Sequence, residues 1–305
     1  MELATAISFA DFVDKEYFPH VRATLSPSTT DGYVKMWNTF GNYLSRASLT
    51  MRTCDCQSVM RQICADRPHL NKSTLRHVKN FFSGIFSHAL RMGFADNANP
   101  WKNVSIPSAP EPGETYAYSP QEIEVMLSVL EAPYDLIVLL AATTGLRKSE
   151  IRGLQWSDWD ATTSTLSVNR AVWRAHMKTT KSRASKAPVP VVPILAARLD
   201  ERKHLVPCGD KRLMFASTSN TPMDLDNAAR RVISPVLAKA DVQWHGWHAF
   251  RRGLATFLHA QGVDDKTIQA ILRHENVSVT QKCYVKTVPE SVRKAMDVVK
   301  FGEKK

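Results

Sequence analysis

Three short stretches carry residues whose types and spacing could do chemistry together. The densest is Trp244-His245-Gly246-Trp247-His248-Ala249-Phe250-Arg251-Arg252. His248 and Arg251 are three apart, so on a helix they project to one side, and Leu254, Phe257 and Leu258 suggest that this helix continues into a core. Upstream, Thr143-Thr144-Gly145-Leu146-Arg147-Lys148-Ser149-Glu150 follows the apolar run Leu136 to Ala142. Gly145 allows a tight bend at the end of a buried helix, and Arg147 and Glu150 share a face if a helix restarts there. Downstream stand Leu272-Arg273-His274 and, ten residues beyond His274, Tyr284. Each is ordinary alone: a surface ion pair, a packed histidine, a packed aromatic. Jointly and in this order they offer an arginine aimed into a cleft, Glu150 supporting a neighbour, and proton-carrying side chains nearby.

The composition says what such a site would face. Lys and Arg total 40 against 29 Asp and Glu, a net charge of +11. The excess is spread along the chain rather than held in a tail, which points to nucleic acid as a polyanionic partner. An acidic membrane surface is the competitor, but no basic amphipathic helix or lipid-attachment motif supports it. No secretory signal is visible, since Glu2 and Asp11 interrupt the first residues. The longest apolar run, Leu136 to Ala142, is too short to span a bilayer. Five cysteines, an odd and sparse set, suit a reduced cytosolic protein. Cys54, Cys56 and Cys64 lack a convincing second ligand pair, so thiols are favoured over a zinc site.

The chain of 305 residues is long enough for two domains. Ser26-Pro27-Ser28 reads as a helix start, with Tyr33, Trp37, Phe40 and Leu44 following at helical spacing. A second long helix begins near Ser73, with Leu75, Val78, Phe82, Ile85, Phe86 and Leu90 on its apolar face and Gly93 as its stop. Lys72, Arg76 and Lys79 lie on the opposite side, either a solvated face or a DNA-facing one. Asn99 to Glu114 holds Pro100, Pro107, Pro110, Pro112 and Gly113 without sustained period, as a linker does. Ser119-Pro120-Gln121-Glu122 is a capping box opening the next helix. The expected organisation is therefore a helical first domain over 1–107, a linker over 108–118 and a second domain over 119–305. Within the second, Thr165 to Arg174 and the proline-confined run Ala187 to Ile194 are expected to form a β-hairpin. Its flexible basic turn, Lys178 to Lys186, could reach a DNA groove or simply be solvated.

These motifs resemble the tyrosine recombinases, the phage-type integrases. The resemblance covers nearly all of the chain and is most specific in the second domain. The family's TGLRxxE motif stands here as Thr144 to Glu150, which implies Arg147 as the first catalytic arginine. Its HxxR box falls on His248 and Arg251, its later His or Trp on His274, and its nucleophile on Tyr284. The family's β-hairpin lysine fits Lys181 best by spacing to Val189-Pro190, with Lys178 as the alternate. One departure is Arg252, where the family commonly has His. The implied fold is mainly α with a small β-sheet: a helical SAM-like core-binding domain, entered at Phe9-Ala10-Asp11-Phe12, then an α+β catalytic domain. Many integrases carry a further small arm-site domain ahead of these; here the chain begins almost directly at the core-binding entry.

The resemblance implies a site-specific recombinase that cleaves and rejoins duplex DNA through a 3′-phosphotyrosine, for integration or excision of a phage or other mobile element. Arg147 and Arg251 would hold the non-bridging oxygens by forked hydrogen bonds, in the place metal ions take in many nucleases. His248 would take the tyrosine proton or position the phosphate, Lys181 would protonate the leaving 5′ oxygen, and His274 would donate to a non-bridging oxygen. Glu150 is the supporting residue; Lys72, Arg76, Lys79 and Arg183 are candidate DNA contacts. No cofactor or metal is expected. Four strand exchanges imply a homotetramer on two sites, with the C-terminal Val288 to Lys300 segment read as a helix that packs on a neighbour. Accessory DNA-bending or directionality proteins and a bacterial cytosolic or nucleoid location complete the expectation. The alternatives are a type IB-like topoisomerase, against which the helical first domain and C-terminal tail weigh, and a catalytically inert DNA-binding regulator.

Overall fold

Apolar residues at helical spacing build the first half of the chain. In the computed structural model, which describes residues 7–96, 98–174, 176–179, 188–205, 209 and 211–273, the chain divides at Glu114 and Thr115 into two units. In the first, α1 (Phe9–Phe12) starts where the Ser8 hydroxyl accepts from Asp11 N, and runs through a π-helical turn (Val13–Tyr17) into α2 (Phe18–Thr24). α3 (Pro27–Phe40) opens as expected, with the Ser26 hydroxyl accepting from Thr29 N and proline in the first turn. It ends at Phe40, so Leu44 reaches the core from beyond a 3-10 turn rather than along the helix. α4 spans Thr53–Asp66 and α5 Lys72–Arg91, the latter capped by Asn71 and ended by Gly93 at φ +75°. Leu75, Val78, Phe82, Ile85 and Phe86 on α5 are buried against Phe9, Phe12, Met60 and Ile63.

The proline-rich stretch after α5 is less open than its composition suggests. Trp101 and Val104 are buried in this same core. Lys79 Nζ donates to Lys102 O at 3.0 Å and Val104 O at 2.6 Å. Lys72 N donates to Pro110 O at 2.8 Å, and Lys72 Nζ to Glu111 Oε1 at 3.1 Å. Two of the lysines read as a basic face therefore also hold down the chain that follows; Arg76 stands exposed.

The second unit is built around α7 (Tyr134–Thr144), which is preceded by α6 (Pro120–Val129) with its Ser119–Glu122 capping box. Every residue from Asp135 to Ala142 is buried. A helix apolar all round has no solvent face and takes the centre of a domain. α8 (Lys148–Ile151) follows directly. Then come β1 (Trp159–Asp160), β2 (Thr165–Leu166), β3 (Arg170–Trp173), β4 (His176–Thr179) and β5 (Val189–Pro190). The helices α9 (Pro193–Leu205), α10 (Leu225–Ala228), α11 (Ser234–Lys239), α12 (His248–Ala260) and α13 (Asp265–Leu272) complete the described part. The fold is thus mainly α with a small sheet.

The expected hairpin is rearranged. β1, β2 and β5 form an antiparallel sheet in that order, with Leu166 opposite both Trp159 and Val189. β5 takes the edge, as its prolines require. Of the first β-rich run only Thr165–Leu166 enters that sheet, where it pairs with Val189–Pro190 as expected. β3 turns back at Arg174, at φ +51°, onto β4, with Ala171 opposite Lys178. Lys178 therefore belongs to a strand, not to a loose turn. Pairing His176 and Met177 with Trp173 and Val172 satisfies backbone groups that a loop would leave to water, and the Trp173 and His176 rings stack 6.1 Å apart. On α12, Phe257 is 44% exposed rather than buried; Ala249, Phe250 and Ala255 face inward.

Candidate active site

The site assembles where α7 ends, α8 begins, α12 starts and α13 ends. Gly145 closes α7 in the left-handed conformation, at φ +61°. A Cβ there would stand 2.6 Å from Leu272 Cδ2, so only glycine lets α13 lie this close. The turn leaves Arg147 as the N-cap of α8. Glu150, three residues on, reaches back: its Oε2 accepts from Arg147 N at 2.8 Å and its Oε1 from Arg147 Nη1 at 3.0 Å. This is a capping box in which the carboxylate also aims the guanidinium of the capping residue.

Arg251 approaches from the first turn of α12 and is only 5% exposed. Its Nη1 donates to Gly145 O at 2.6 Å and its Nη2 to Leu272 O. One guanidinium thus ties α12 to the ends of α7 and α13. Arg273 follows Leu272 in the left-handed region, at φ +54°, and its side chain is buried. Its Nη2 donates to Glu150 Oε2 at 2.8 Å. Burial alone would raise the Glu150 pKa, but Arg273 and then Arg147 outweigh it and hold the carboxyl below its ordinary value. Burial pushes the Arg273 guanidinium down, and Glu150 opposes that.

His248 opens α12 one turn before Arg251 and keeps a face open to solvent. Partial burial first, then the charges of Arg251, Arg252, Arg147 and Lys148, hold its pKa below the ordinary value of 6.5. The imidazole is therefore neutral near pH 7 and can accept a proton. Those four cations make the surroundings of the imidazole positive, which favours an anion there.

Arg252, the departure from the resemblance, is a brace: its Nε donates to Tyr116 O at 2.5 Å. Gly253 beside it would place an added Cβ 2.3 Å from Tyr118 O, so the segment entering this unit lies directly on α12. Tyr116 stacks on His245 at 3.6 Å, and the Tyr118 hydroxyl accepts from His245 N at 2.6 Å. Burial raises the Tyr118 phenol to about 12.

The sequence motifs did not single out Arg152. Its guanidinium donates to Met223 O at 2.8 Å, Arg174 O at 3.1 Å and Val172 O at 3.3 Å. It thereby holds the β3–β4 hairpin, and with it Lys178, against the helix that carries Arg147. Nor did they separate Arg273 from its neighbours. Of the expected site residues, Arg147, Glu150, His248 and Arg251 come together here, and Lys178 lies on β4. Lys181, Arg183, His274 and Tyr284 lie outside the described residues, as does the Val288 to Lys300 segment.

Residues 118–290 match the phage integrase family, and the chain belongs to this family of tyrosine-type site-specific DNA recombinases. A tyrosine recombinase XerC-like protein of Caldanaerobacter subterraneus is 25% identical over 96% of this chain and 83% of that protein. The tyrosine recombinase XerA of Thermococcus kodakarensis is 30% identical over 70% of this chain and 71% of its own length. Among solved structures, the Tn1549 transposon integrase in complex with a circular intermediate DNA has the same fold, with a TM-score of 0.79 at 16% identity, covering 96% of this chain and all of that one. Among the described residues no helix is long and apolar enough to cross a membrane.

Proposed function

We propose that this recombinase cuts and rejoins duplex DNA through Tyr284, in the service of a phage or other mobile element. The Tyr284 oxygen attacks the scissile phosphorus and gives its proton to His248. The bond from phosphorus to the 5′ oxygen breaks, and that oxygen takes a proton from Lys181, with Lys178 as the alternate donor. The 3′-phosphotyrosine keeps the bond energy, so a 5′ hydroxyl from a partner strand reverses the step without ATP. Arg147 and Arg251 hold the non-bridging oxygens, and His274 donates to one of them. Four copies act on two DNA sites, in the cytosol or nucleoid of a bacterial cell, with accessory DNA-bending proteins as further partners.

One observation carries this reading. Two arginines from separate segments, 104 positions apart in the sequence, are anchored near one another beside His248. A phosphodiester carries one negative charge and its pentacoordinate transition state more. Donors fixed in advance stabilise that added charge without reorganising.

The test is a nicked duplex bearing the recombination site, incubated with wild type and Tyr284→Phe and run on a denaturing gel. Wild type gives a covalent protein–DNA band. The variant shifts the same duplex in a native gel but gives no such band; a covalent band from Tyr284→Phe would rule Tyr284 out as nucleophile.

A further inference from the structure

We propose that Arg273 is a positioning residue for strand cleavage, acting through Glu150 to hold the Arg147 guanidinium on the scissile phosphate. The inference rests on the assignment of Arg147 given above and concerns a residue with no role in that scheme.

Three observations converge on it. Arg273 is 3% exposed and its Nη2 lies 2.8 Å from Glu150 Oε2. An arginine is rarely buried so fully without a paired carboxylate. That oxygen also accepts from Arg147 N at 2.8 Å, while the other carboxylate oxygen takes Arg147 Nη1 at 3.0 Å. The carboxylate is thus gripped from behind by Arg273 and presents Arg147 in front, where that side chain is 36% exposed. Finally, Arg273 occupies φ +54°, ψ +44°, a conformation that glycine adopts freely and an L side chain rarely does. The chain accepts that conformational cost at the position where a guanidinium reaches Glu150.

The arrangement has a consequence for charge. Glu150 without Arg273 would be a deeply buried carboxylate with Arg147 as its remaining charged partner, and burial favours the protonated form. A protonated Glu150 loses acceptor capacity toward the Arg147 backbone and side chain together. Arg273 keeps it ionised. Beside Arg273, Leu272 O accepts from Arg251 Nη2 at the end of α13. The same two residues, Leu272 and Arg273, therefore tie the end of this helix to both catalytic arginine segments.

The experiment measures single-turnover cleavage of the nicked duplex from pH 5 to 8 for Arg273→Gly, Arg273→Lys, Arg147→Ala and the double variant Glu150→Gln/Arg273→Gly. Glycine suits the backbone conformation, so a defect in Arg273→Gly comes from the missing side chain. Cleavage by Arg273→Gly is expected to fall by about tenfold to a hundredfold, the scale of a misplaced catalytic group. Its rate relative to wild type falls further as pH drops, since His248 titrates in both proteins and Glu150 protonates early only in the variant. Arg273→Lys restores the pH dependence because it restores the charge. The double variant has no buried charge to leave unpaired, so it folds, and it still cleaves slowly. Wild-type cleavage by folded Arg273→Gly or by the double variant would overturn the proposal. If Arg147→Ala cleaves normally, the assignment of Arg147 fails and this inference with it; if Arg147→Ala is inactive and Arg273→Gly normal, only the role of Arg273 falls.

Discussion

At the scale of single residues, Glu150 decides most. It is 3% exposed and serves two arginines, so it is both a structural ion and an active-site support. Breaking a buried pair from one side leaves an uncompensated charge, here the Arg273 guanidinium. Glu150→Gln is therefore expected to destabilise the second unit by about 3 kcal/mol at pH 7, measured by urea unfolding followed through tryptophan fluorescence. The pH dependence has a definite sign. The folded carboxyl is held below its ordinary value, so its contribution to stability is present above an unfolded pKa of about 4.3. It is lost as pH falls through the folded value. The difference between wild type and Glu150→Gln should narrow below about pH 4; a gap that stays constant to pH 3 would mean Glu150 is not the ionised partner. The carboxylate was legible in the sequence because its spacing from Arg147 is helical. Arg273 was not. A buried arginine and a solvated one look alike in a sequence, and a non-glycine left-handed residue leaves no sign there.

At the scale of elements, the site depends on glycines and a guanidinium that bring backbones close. Gly145 was readable as a bend because it follows an apolar run, but the neighbour that makes it indispensable, Leu272, lies 127 positions away in the sequence. Gly145→Ala places an L residue at φ +61° and a methyl 2.6 Å from a fully buried leucine. It should cost about 1–2 kcal/mol for the backbone alone, more with the clash, and slow cleavage because Gly145 O anchors Arg251. Gly246→Ala is the control: φ is +82° but nothing lies within 4 Å of the added Cβ. It should show only the backbone cost, measured in the same urea titration, and keep most of the cleavage rate; equal loss in both would mean that the approach of α13 is unimportant. The helices were read from their caps and apolar spacing, and α3, α5 and α6 start at or within a residue of their expected positions. The pairing of Thr165–Leu166 with Val189–Pro190 was legible too, but the β3–β4 hairpin was not, because it forms through a basic segment whose composition suits a loop. Arg152 then holds β3 in place by reaching carbonyls 20 and 22 positions ahead, and such a contact has no local signature.

At the scale of the whole molecule, a net charge of +11 is a statement about association with a polyanion rather than about fold. Not every lysine on a basic face contributes equally. Lys79 spends its ammonium on Lys102 O and Val104 O, closing the chain after α5 onto the first unit, whereas Arg76 projects from the same helix into solvent. Each phosphate neutralised on binding releases condensed counterions, so log K for a duplex falls with log salt at a slope of about −0.9 per contact. Fluorescence anisotropy of a labelled duplex between 50 and 300 mM salt, conditions chosen to span about tenfold to a thousandfold in affinity, should give a steep line for wild type. Arg76→Ala should reduce that slope by about one contact with no change in the melting curve. Lys79→Ala should leave the slope intact and lower the stability of the first unit, since two backbone carbonyls lose their donor. A reversed pattern, with Lys79 setting the slope and Arg76 silent, would mean that Arg76 makes no phosphate contact and that Lys79 does. A slope near zero for wild type would separate the +11 charge from DNA binding altogether.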